Sequence, residues 1–241
     1  MKISENCYAV TGLGFTPPWF VNAGIIKGKD KTIIVDSGGN YSAAQTIYGY
    51  ASAVSRTQKF VVINTEPHFD HILGNCFFSE RNIPIYAHPL VYRKEEDFIC
   101  QKKEMNDSIT EIVRKKANEE ESFFSKTYLK NPDFKLQDNQ EIDLGNSRVK
   151  IFFTPGHTKA NISVFHTSEK VLFTGDCIVN NYLPNTGAAN KEDLKIWNES
   201  LKFIKFLNPE IIVPGHGGVI EKNEIEIAIT RMGKIISRGI N

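Results

Sequence analysis

Four side chains that can bind a metal ion lie between positions 66 and 71 of the sequence: Glu66, His68, Asp70 and His71. Carboxylate and imidazole groups bind zinc, iron and manganese through oxygen and nitrogen atoms. Alternate residues of an extended chain point the same way. We therefore expect Glu66, His68 and Asp70 to converge on one point while His71 faces a second. Any one of these residues alone would be interpreted as part of a polar loop without a ligand.

These residues directly follow an apolar run at 60–63, which is typical of a buried strand. Pro67 cannot donate a hydrogen bond to a sheet, so the strand ends before it. Three further predicted strands also end in turns that carry a ligand-type side chain. The strands span 149–154, 171–174 and 211–213, and their turns carry His157, Asp176 and His216. Four such strand ends favour one metal centre over ordinary loop polarity.

The rest of the sequence alternates between strand and helix patterns. Apolar runs predict strands at 8–11, 20–26, 32–36, 83–88 and 162–166, and helical spacing predicts helices at 41–55 and 191–207. Residues 90–130 are rich in charge and contain apolar residues at helical spacing, so we interpret them as a helical insertion in a single domain, 1–241. The aromatic residues near the end of this segment are suited to covering a pocket or to supporting a homodimer. His88 and His166 lie outside the ligand-bearing turns and are interpreted as structural.

The composition is that of an ordinary globular protein, with a net charge of +1 and 41% hydrophobic residues. This balance offers no electrostatic basis for binding nucleic acid or a membrane. No apolar run has the length of a membrane span, and the first residues lack the apolar core of a signal peptide. The four cysteines form no CxxC pair. We expect a cytoplasmic protein.

The segment from Gly12 to Trp19 is a predicted loop that carries two aromatic residues, Phe15 and Trp19. Exposed aromatics on a loop often belong to a flap that contacts substrate. The alternative, that both rings pack into the core, is equally compatible with the sequence.

Taken in order, these motifs resemble the signature of the metallo-β-lactamase superfamily. The matching motifs are Glu66-x-His68-x-Asp70-His71, Pro155-Gly156-His157-Thr158, Gly175-Asp176 and Pro214-Gly215-His216-Gly217. The resemblance implies an α/β fold of four layers, an αβ/βα sandwich. Two mixed β-sheets pack face to face in such a fold, and helices cover their outer faces. It also implies a dinuclear metal centre at one edge.

Roles for the matching residues follow from the same resemblance. Glu66, His68 and His157 would bind one metal ion, Asp70, His71 and His216 would bind the other, and Asp176 would bridge them. Asp70 would also act in catalysis by orienting the nucleophile and passing a proton. Asp36, at the end of its predicted strand, would fix the orientation of a ligand through a hydrogen bond.

The sequence departs from the superfamily pattern at Glu66, where histidine is usual. A carboxylate can still bind metal, and its negative charge favours manganese or iron(II) relative to zinc. The alternative is a site that holds only the second metal ion. The stretch around Cys177 and the segment that begins with Asn185 resemble zinc β-lactamases, so we expect Asn185 to contact substrate. Because Asp176 is available to bridge, Cys177 is interpreted as a buried thiol near the metal ligands.

The resemblance implies a metal-dependent hydrolase in which hydroxide from the dinuclear site attacks a small carbonyl substrate. The cofactors would be two divalent metal ions, zinc first, with manganese or iron as alternatives. A thioester, a lactone, another ester and a β-lactam all remain open as substrates, because fold does not determine function. Two other functions also remain open, an iron-site redox or dioxygenase protein and a metal-binding protein without catalysis.

Overall fold

A computed structural model of the chain describes residues 1–13, 20–108, 111, 124–179 and 189–238. These residues form twelve strands and six helices. The strands are β1 (Cys7–Leu13), β2 (Val21–Lys27), β3 (Thr32–Val35), β4 (Phe60–Asn64), β5 (Ile85–Ala87), β6 (Phe134–Lys135), β7 (Glu141–Asp143), β8 (Arg148–Phe153), β9 (Ile162–His166), β10 (Val171–Gly175), β11 (Ile211–Pro214) and β12 (Ile220–Glu221). The helices are α1 (Tyr41–Val54), α2 (Phe69–Ile72), α3 (Asn75–Ser79), α4 (Glu95–Ser108), α5 (Lys191–Leu207) and α6 (Glu224–Arg238).

The strands form two mixed sheets of six strands each. The first sheet has the order β1-β2-β3-β4-β5-β6, and the second has the order β12-β11-β10-β9-β8-β7. In the first sheet β3 to β6 are parallel, while in the second only β10 and β11 are parallel. Because parallel neighbours end at the same edge of a sheet, each sheet delivers several strand ends to one edge.

Three apolar layers hold the sheets and helices together. The central layer packs the two sheets against each other, with Ile33 and Ile63 from the first sheet and Val164 and Phe173 from the second. One outer layer packs α1 and α3 on the first sheet, and the other packs α5 and α6 on the second. The four-layer αβ/βα sandwich predicted from the sequence is confirmed. No helix among the described ranges combines the length and the apolar character needed to cross a membrane.

Helix α4 lies in the segment predicted to be a helical insertion, and the prediction for 109–110 and 112–123 falls outside the described residues. Whether residues 1–241 form one domain stays a prediction.

Candidate metal centre

The seven residues predicted to bind metal follow strands β4, β8, β10 and β11. Their side chains come together in three overlapping groups, each able to hold a metal ion: Glu66, His68 and His157; Asp70, His71 and His216; Glu66, His71 and Asp176. Within each group the potential ligand atoms lie within 4.8 Å of one another. The structure thus places residues from four parts of the chain around one centre.

The first group is formed by Glu66, His68 and His157. Glu66 Oε1 lies 2.8 Å from His68 Nδ1, which lies 3.1 Å from His157 Nε2. Glu66 Oε2 lies 3.9 Å from the same His157 nitrogen. Ligands about 2.1 Å from a tetrahedral zinc ion are about 3.4 Å apart. The observed spacings lie on both sides of that value, so the three donors can bind one cation after small adjustments.

The second group is formed by Asp70, His71 and His216. Asp70 Oδ2 lies 3.1 Å from His216 Nε2 and 3.9 Å from His71 Nε2. The expectation that Asp70 converges with Glu66 and His68 along an extended chain is wrong. The chain is extended only as far as His68 and then enters α2, so Asp70 lies on a helical turn and joins the second group.

Asp176 lies between the two groups. Its Oδ1 is 3.6 Å from His71 Nε2, and its Oδ2 is 3.6 Å from His157 Nε2. Oδ2 is also 3.3 Å from His216 Nε2. A carboxylate whose oxygens approach donors of both groups is placed to bridge two cations.

Carboxylates dominate the electrostatics of the centre. Burial alone would lower the pKa of His71, but the carboxylates around it, Asp36 foremost, raise that pKa well above its ordinary value. Burial also opposes protonation of His216, yet its hydrogen bonds to Asp176 and Asp70 raise its pKa to about 12. The opposite shift occurs at Asp70, where the neighbouring histidines outweigh burial and lower the pKa. The centre therefore favours positive charge, which metal ions would provide.

Buried polar atoms at the centre also fit bound cations. Glu66 Oε2, His71 Nε2 and Asp176 Oδ1 are inaccessible to solvent and have no hydrogen-bond partner in the protein. Buried polar atoms are normally hydrogen-bonded, because leaving one unpaired costs about 1–3 kcal/mol. Since all three atoms point into the predicted ligand groups, the donor set fits divalent metal ions.

Two histidines are oriented by hydrogen bonds on the ring edge away from the centre. His71 Nδ1 lies 2.9 Å from Asp36 Oδ2, and Asp36 also accepts hydrogen bonds from the backbone N–H and the hydroxyl of Thr65, each at 2.7 Å. His216 Nδ1 donates to the carbonyl oxygen of Phe20. In both rings Nε2 is thereby directed into the centre, the usual arrangement for histidines that bind metal.

Sequence reasoning missed Asn22, which fixes the turn that carries His216. The buried Asn22 side chain donates to the carbonyls of Pro214, at 2.9 Å, and Gly217, at 2.8 Å. Its backbone N–H donates to the Gly215 carbonyl at 2.7 Å. A polar residue inside the apolar run of 20–26 was the available signal, because a buried asparagine needs partners for its amide.

The remaining predicted site residues are placed as follows. Cys177 is fully buried under α5, burial raises the pKa of its thiol to about 12, and its carbonyl accepts a hydrogen bond from Trp197 Nε1 at 2.7 Å. Phe15, Trp19 and Asn185, predicted to contact substrate, lie outside the described residues.

Comparison with protein families identifies one match. A sequence model of the metallo-beta-lactamase superfamily matches residues 16–216. This range includes every candidate metal ligand.

Comparison with curated relatives and solved structures agrees with the family match. A protein of Bacillus subtilis named "Probable metallo-hydrolase YybB" is 27% identical over 210 residues, which cover 85% of this chain and 84% of that protein. The atrochrysone carboxyl ACP thioesterase of Aspergillus fumigatus is 32% identical over 92 residues, or 38% of this chain. The solved structure of a metallo-beta-lactamase from Pontibacter korlensis has a TM-score of 0.73 and 17% identity and covers 98% of each chain, which shows a shared fold.

This chain matches only part of the length of several relatives. The first three relatives, the Aspergillus thioesterase among them, are matched over only 28% of their own length. What those whole proteins do therefore does not transfer directly to this chain.

Proposed function

Because the chain belongs to the metallo-beta-lactamase superfamily, we propose that it is a metal-dependent hydrolase with a dinuclear centre, acting on a small carbonyl substrate. The observation that carries the proposal is the position of Asp176. Its two oxygens approach nitrogen donors of both ligand groups at 3.3–3.6 Å. A single bound cation would not require one carboxylate to face two sets of histidines.

When bound, two divalent metal ions lower the pKa of a water molecule and polarise the carbonyl of a substrate. The residues of this chain would bind these ions, and their neighbours orient the ligand side chains. Asp36 and the Phe20 carbonyl fix His71 and His216 so that each presents Nε2. Glu66 supplies an additional negative charge to the first group, where a histidine would be neutral.

Asp70 is the carboxylate in the centre that substrate and water reach most easily. Its side chain is 15% exposed, compared with 6% for Asp176 and 0% for Glu66. The neighbouring histidines lower its pKa and keep it ionised. We assign to Asp70 the role of orienting the attacking water, because an ionised carboxylate accepts a hydrogen bond from it.

The substrate class within the proposal is an activated acyl compound, with a thioester placed first. The name of the Aspergillus relative supports this order. A lactone, another ester and a β-lactam follow, because the centre contains no feature among the described residues that selects one acyl group. Zinc is the first metal of the proposal. Manganese and iron are alternatives that the carboxylate-rich ligand set also suits.

A substrate panel tests the proposal. Chelator-treated protein and protein restored with zinc, manganese or iron(II) are compared on a thioester, a lactone, a simple ester and a β-lactam. We expect metal-dependent hydrolysis of at least one class, and Asp70→Asn should lower kcat/KM by about 100-fold or more. The matched control is Asp143→Asn on the outer strand β7, which keeps an oxygen for the Gly145 N–H and should leave activity unchanged.

No hydrolysis of any class by the metal-restored protein would reject the proposed activity. An iron-dependent consumption of oxygen instead would favour the redox alternative. The homodimer and the cytoplasmic location stay predictions.

A further inference from the structure

A second cluster of ligand-type side chains lies away from the metal centre. Cys7, His166 and Glu169 each offer one donor atom, and the three atoms lie within 4.8 Å of one another. His166 pairs with Val171, at the start of β10, whereas the metal centre lies beyond Gly175, at the end of that strand. The cluster is therefore at the opposite end of the sandwich.

His166 is the unusual member of the cluster. It is fully buried, and neither ring nitrogen has a hydrogen-bond partner. On β9 it alternates with Ile162 and Val164, which pack in the layer between the sheets, so its ring enters the same layer from the second sheet. Buried ring nitrogens are normally paired. An imidazole held without a partner beside a thiol and a carboxylate points to a ligand between them.

The other two members approach His166 from different parts of the chain. Cys7 begins β1 in the first sheet and is fully buried in the layer between the sheets. Glu169 lies in the turn between β9 and β10 and is partly exposed. Its carboxylate accepts hydrogen bonds from the Ser4 hydroxyl, from the Asn6 side-chain amide and, at 3.1 Å, from the Asn6 backbone N–H. These bonds hold the carboxylate beside the N-terminal segment.

We propose that Cys7, His166 and Glu169 bind one zinc ion, which ties the N-terminal segment to the second sheet. Thiolate sulfur, imidazole nitrogen and carboxylate oxygen are the three donor types that proteins use for zinc. The charges also balance, because the thiolate and the carboxylate neutralise a divalent cation and the imidazole stays neutral. The partly exposed Glu169 leaves the fourth ligand position to water.

Zinc binding at this cluster changes the protonation of the cysteine. Burial raises the pKa of the Cys7 thiol to about 12, so the sulfur is protonated in the metal-free protein. A bound cation displaces that proton, so binding releases one proton from the thiol.

Cobalt(II) distinguishes this cluster from the metal centre. Cobalt occupies zinc sites and gives a near-ultraviolet charge-transfer band only when a thiolate binds it. Every proposed ligand of the metal centre is an oxygen or a nitrogen donor, so the band reports a cysteine ligand. Metal-free protein titrated with cobalt should develop the band, which should saturate once the three proposed sites, two in the metal centre and one at this cluster, are filled, and which should disappear when excess zinc is added. Absence of the band at excess cobalt overturns the proposal.

Two serine variants identify the cysteine responsible. Cys7→Ser should abolish the band and reduce bound zinc by one equivalent per chain, as measured by equilibrium dialysis. Cys76→Ser, at an equally buried cysteine in α3, is the matched control and should keep both. A band that persists in Cys7→Ser, or that is lost only in Cys177→Ala, contradicts the assignment.

Glu169→Gln tests the same site at a partly exposed position, in case Cys7→Ser does not fold. Loss of a carboxylate ligand should weaken cobalt binding at the thiolate site by about tenfold or more. Unchanged affinity would show that Glu169 is not a ligand and would overturn the three-residue site.

Discussion

At Gly215 the backbone passes so close to two candidate ligands that no side chain fits between them. A Cβ atom added there would lie 2.1 Å from Asp176 Oδ1 and 2.8 Å from His71 Cε1. Hydrogen bonds to Gly175 and Asn22 hold this backbone on both sides. Only glycine therefore fits at position 215 beside these two side chains, and the close approach of Asp176 to His71 depends on it.

Gly215→Ala should accordingly weaken metal binding. The added methyl group must displace either Asp176 or His71, since the backbone cannot move without breaking the bonds that hold it. We expect metal affinity to fall by about tenfold or more, measured by competition with a chelator. Gly49→Ala is the control, because nothing lies within 4 Å of a Cβ there. Equal affinities for the two variants would contradict this account of the turn.

Asp36→Asn tests the hydrogen bond that orients His71. Asp36 has a φ of 62°, in the left-handed region that asparagine adopts readily, so the substitution does not strain the backbone. The amide would no longer hold the proton on Nδ1 as firmly, and Nε2 would be a poorer ligand. Affinity for metal should fall by about 10–100-fold. A change in metal affinity of less than about twofold, measured by the same competition assay, would show that Asp36 does not contribute to metal binding.

At the scale of elements, helix α5 supports two of the ligand-bearing turns. Trp197 is 1% exposed, its indole N–H donates to the Cys177 carbonyl, and its ring lies under Gly156, where an added Cβ would come within 2.3 Å of it. The turns that carry Asp176 and His157 therefore rest on one side chain of α5.

Trp197→Phe should lower the free energy of unfolding by about 1–3 kcal/mol, because it leaves a buried carbonyl without its donor. Phe206→Ala is the control in the same helix, since this ring is 82% exposed and its removal should change stability by no more than about 0.5 kcal/mol. Urea denaturation at equal metal content measures both. Surface substitutions usually change the free energy of unfolding by no more than about 0.5 kcal/mol. If Trp197→Phe also stays within that range of the wild type, α5 does not support the turns in this way.

The segment after β5 contains a pH-sensitive contact. His88 Nδ1 accepts a hydrogen bond from the Leu90 backbone N–H at 3.1 Å, and the His88 ring packs against Phe153 with centroids 4.2 Å apart. Burial lowers the pKa of His88, which the charge of Asp138 only partly opposes. The unfolded chain therefore takes up a proton first as the pH falls. The stability from this contact is present above the ordinary histidine pKa of about 6.5 and is lost as the pH falls below it.

His88→Asn isolates this effect, because asparagine keeps an acceptor for the Leu90 N–H but does not titrate. The wild type should lose more stability than the variant between about pH 7.5 and pH 5.5. The other histidines are common to both proteins and cancel in the difference. Parallel stability curves over this range, from urea denaturation, would show that His88 does not contribute.

At the scale of the whole molecule, most of the sandwich could be predicted from local patterns. Strand β9 and helix α5 have the predicted bounds, because each contains a clear apolar repeat between breaks. Helix α6 was missed although Ile225, Ala228 and Met232 have helical spacing, and the short strands β6, β7 and β12 were missed because they have two or three residues. Such strands form only where a neighbouring strand offers a partner, which local sequence does not show.

The same limit applies to the centre. Ligand-type residues at strand ends could be recognised in the sequence because each follows an apolar run. The hydrogen-bond partners of Asn22 and the contacts of Gly215 could not. Asn22 bonds to residues more than 190 positions away, and Gly215 contacts side chains from two other turns. Tertiary structure alone brings these atoms together.

An anomalous-difference map from crystals of the metal-replete protein tests the central claim most directly. We predict two peaks, one among Glu66, His68 and His157 and the other among Asp70, His71 and His216, with Asp176 between them. A single peak beside Asp70, His71 and His216, with Glu66 turned away from any metal, would contradict the dinuclear centre.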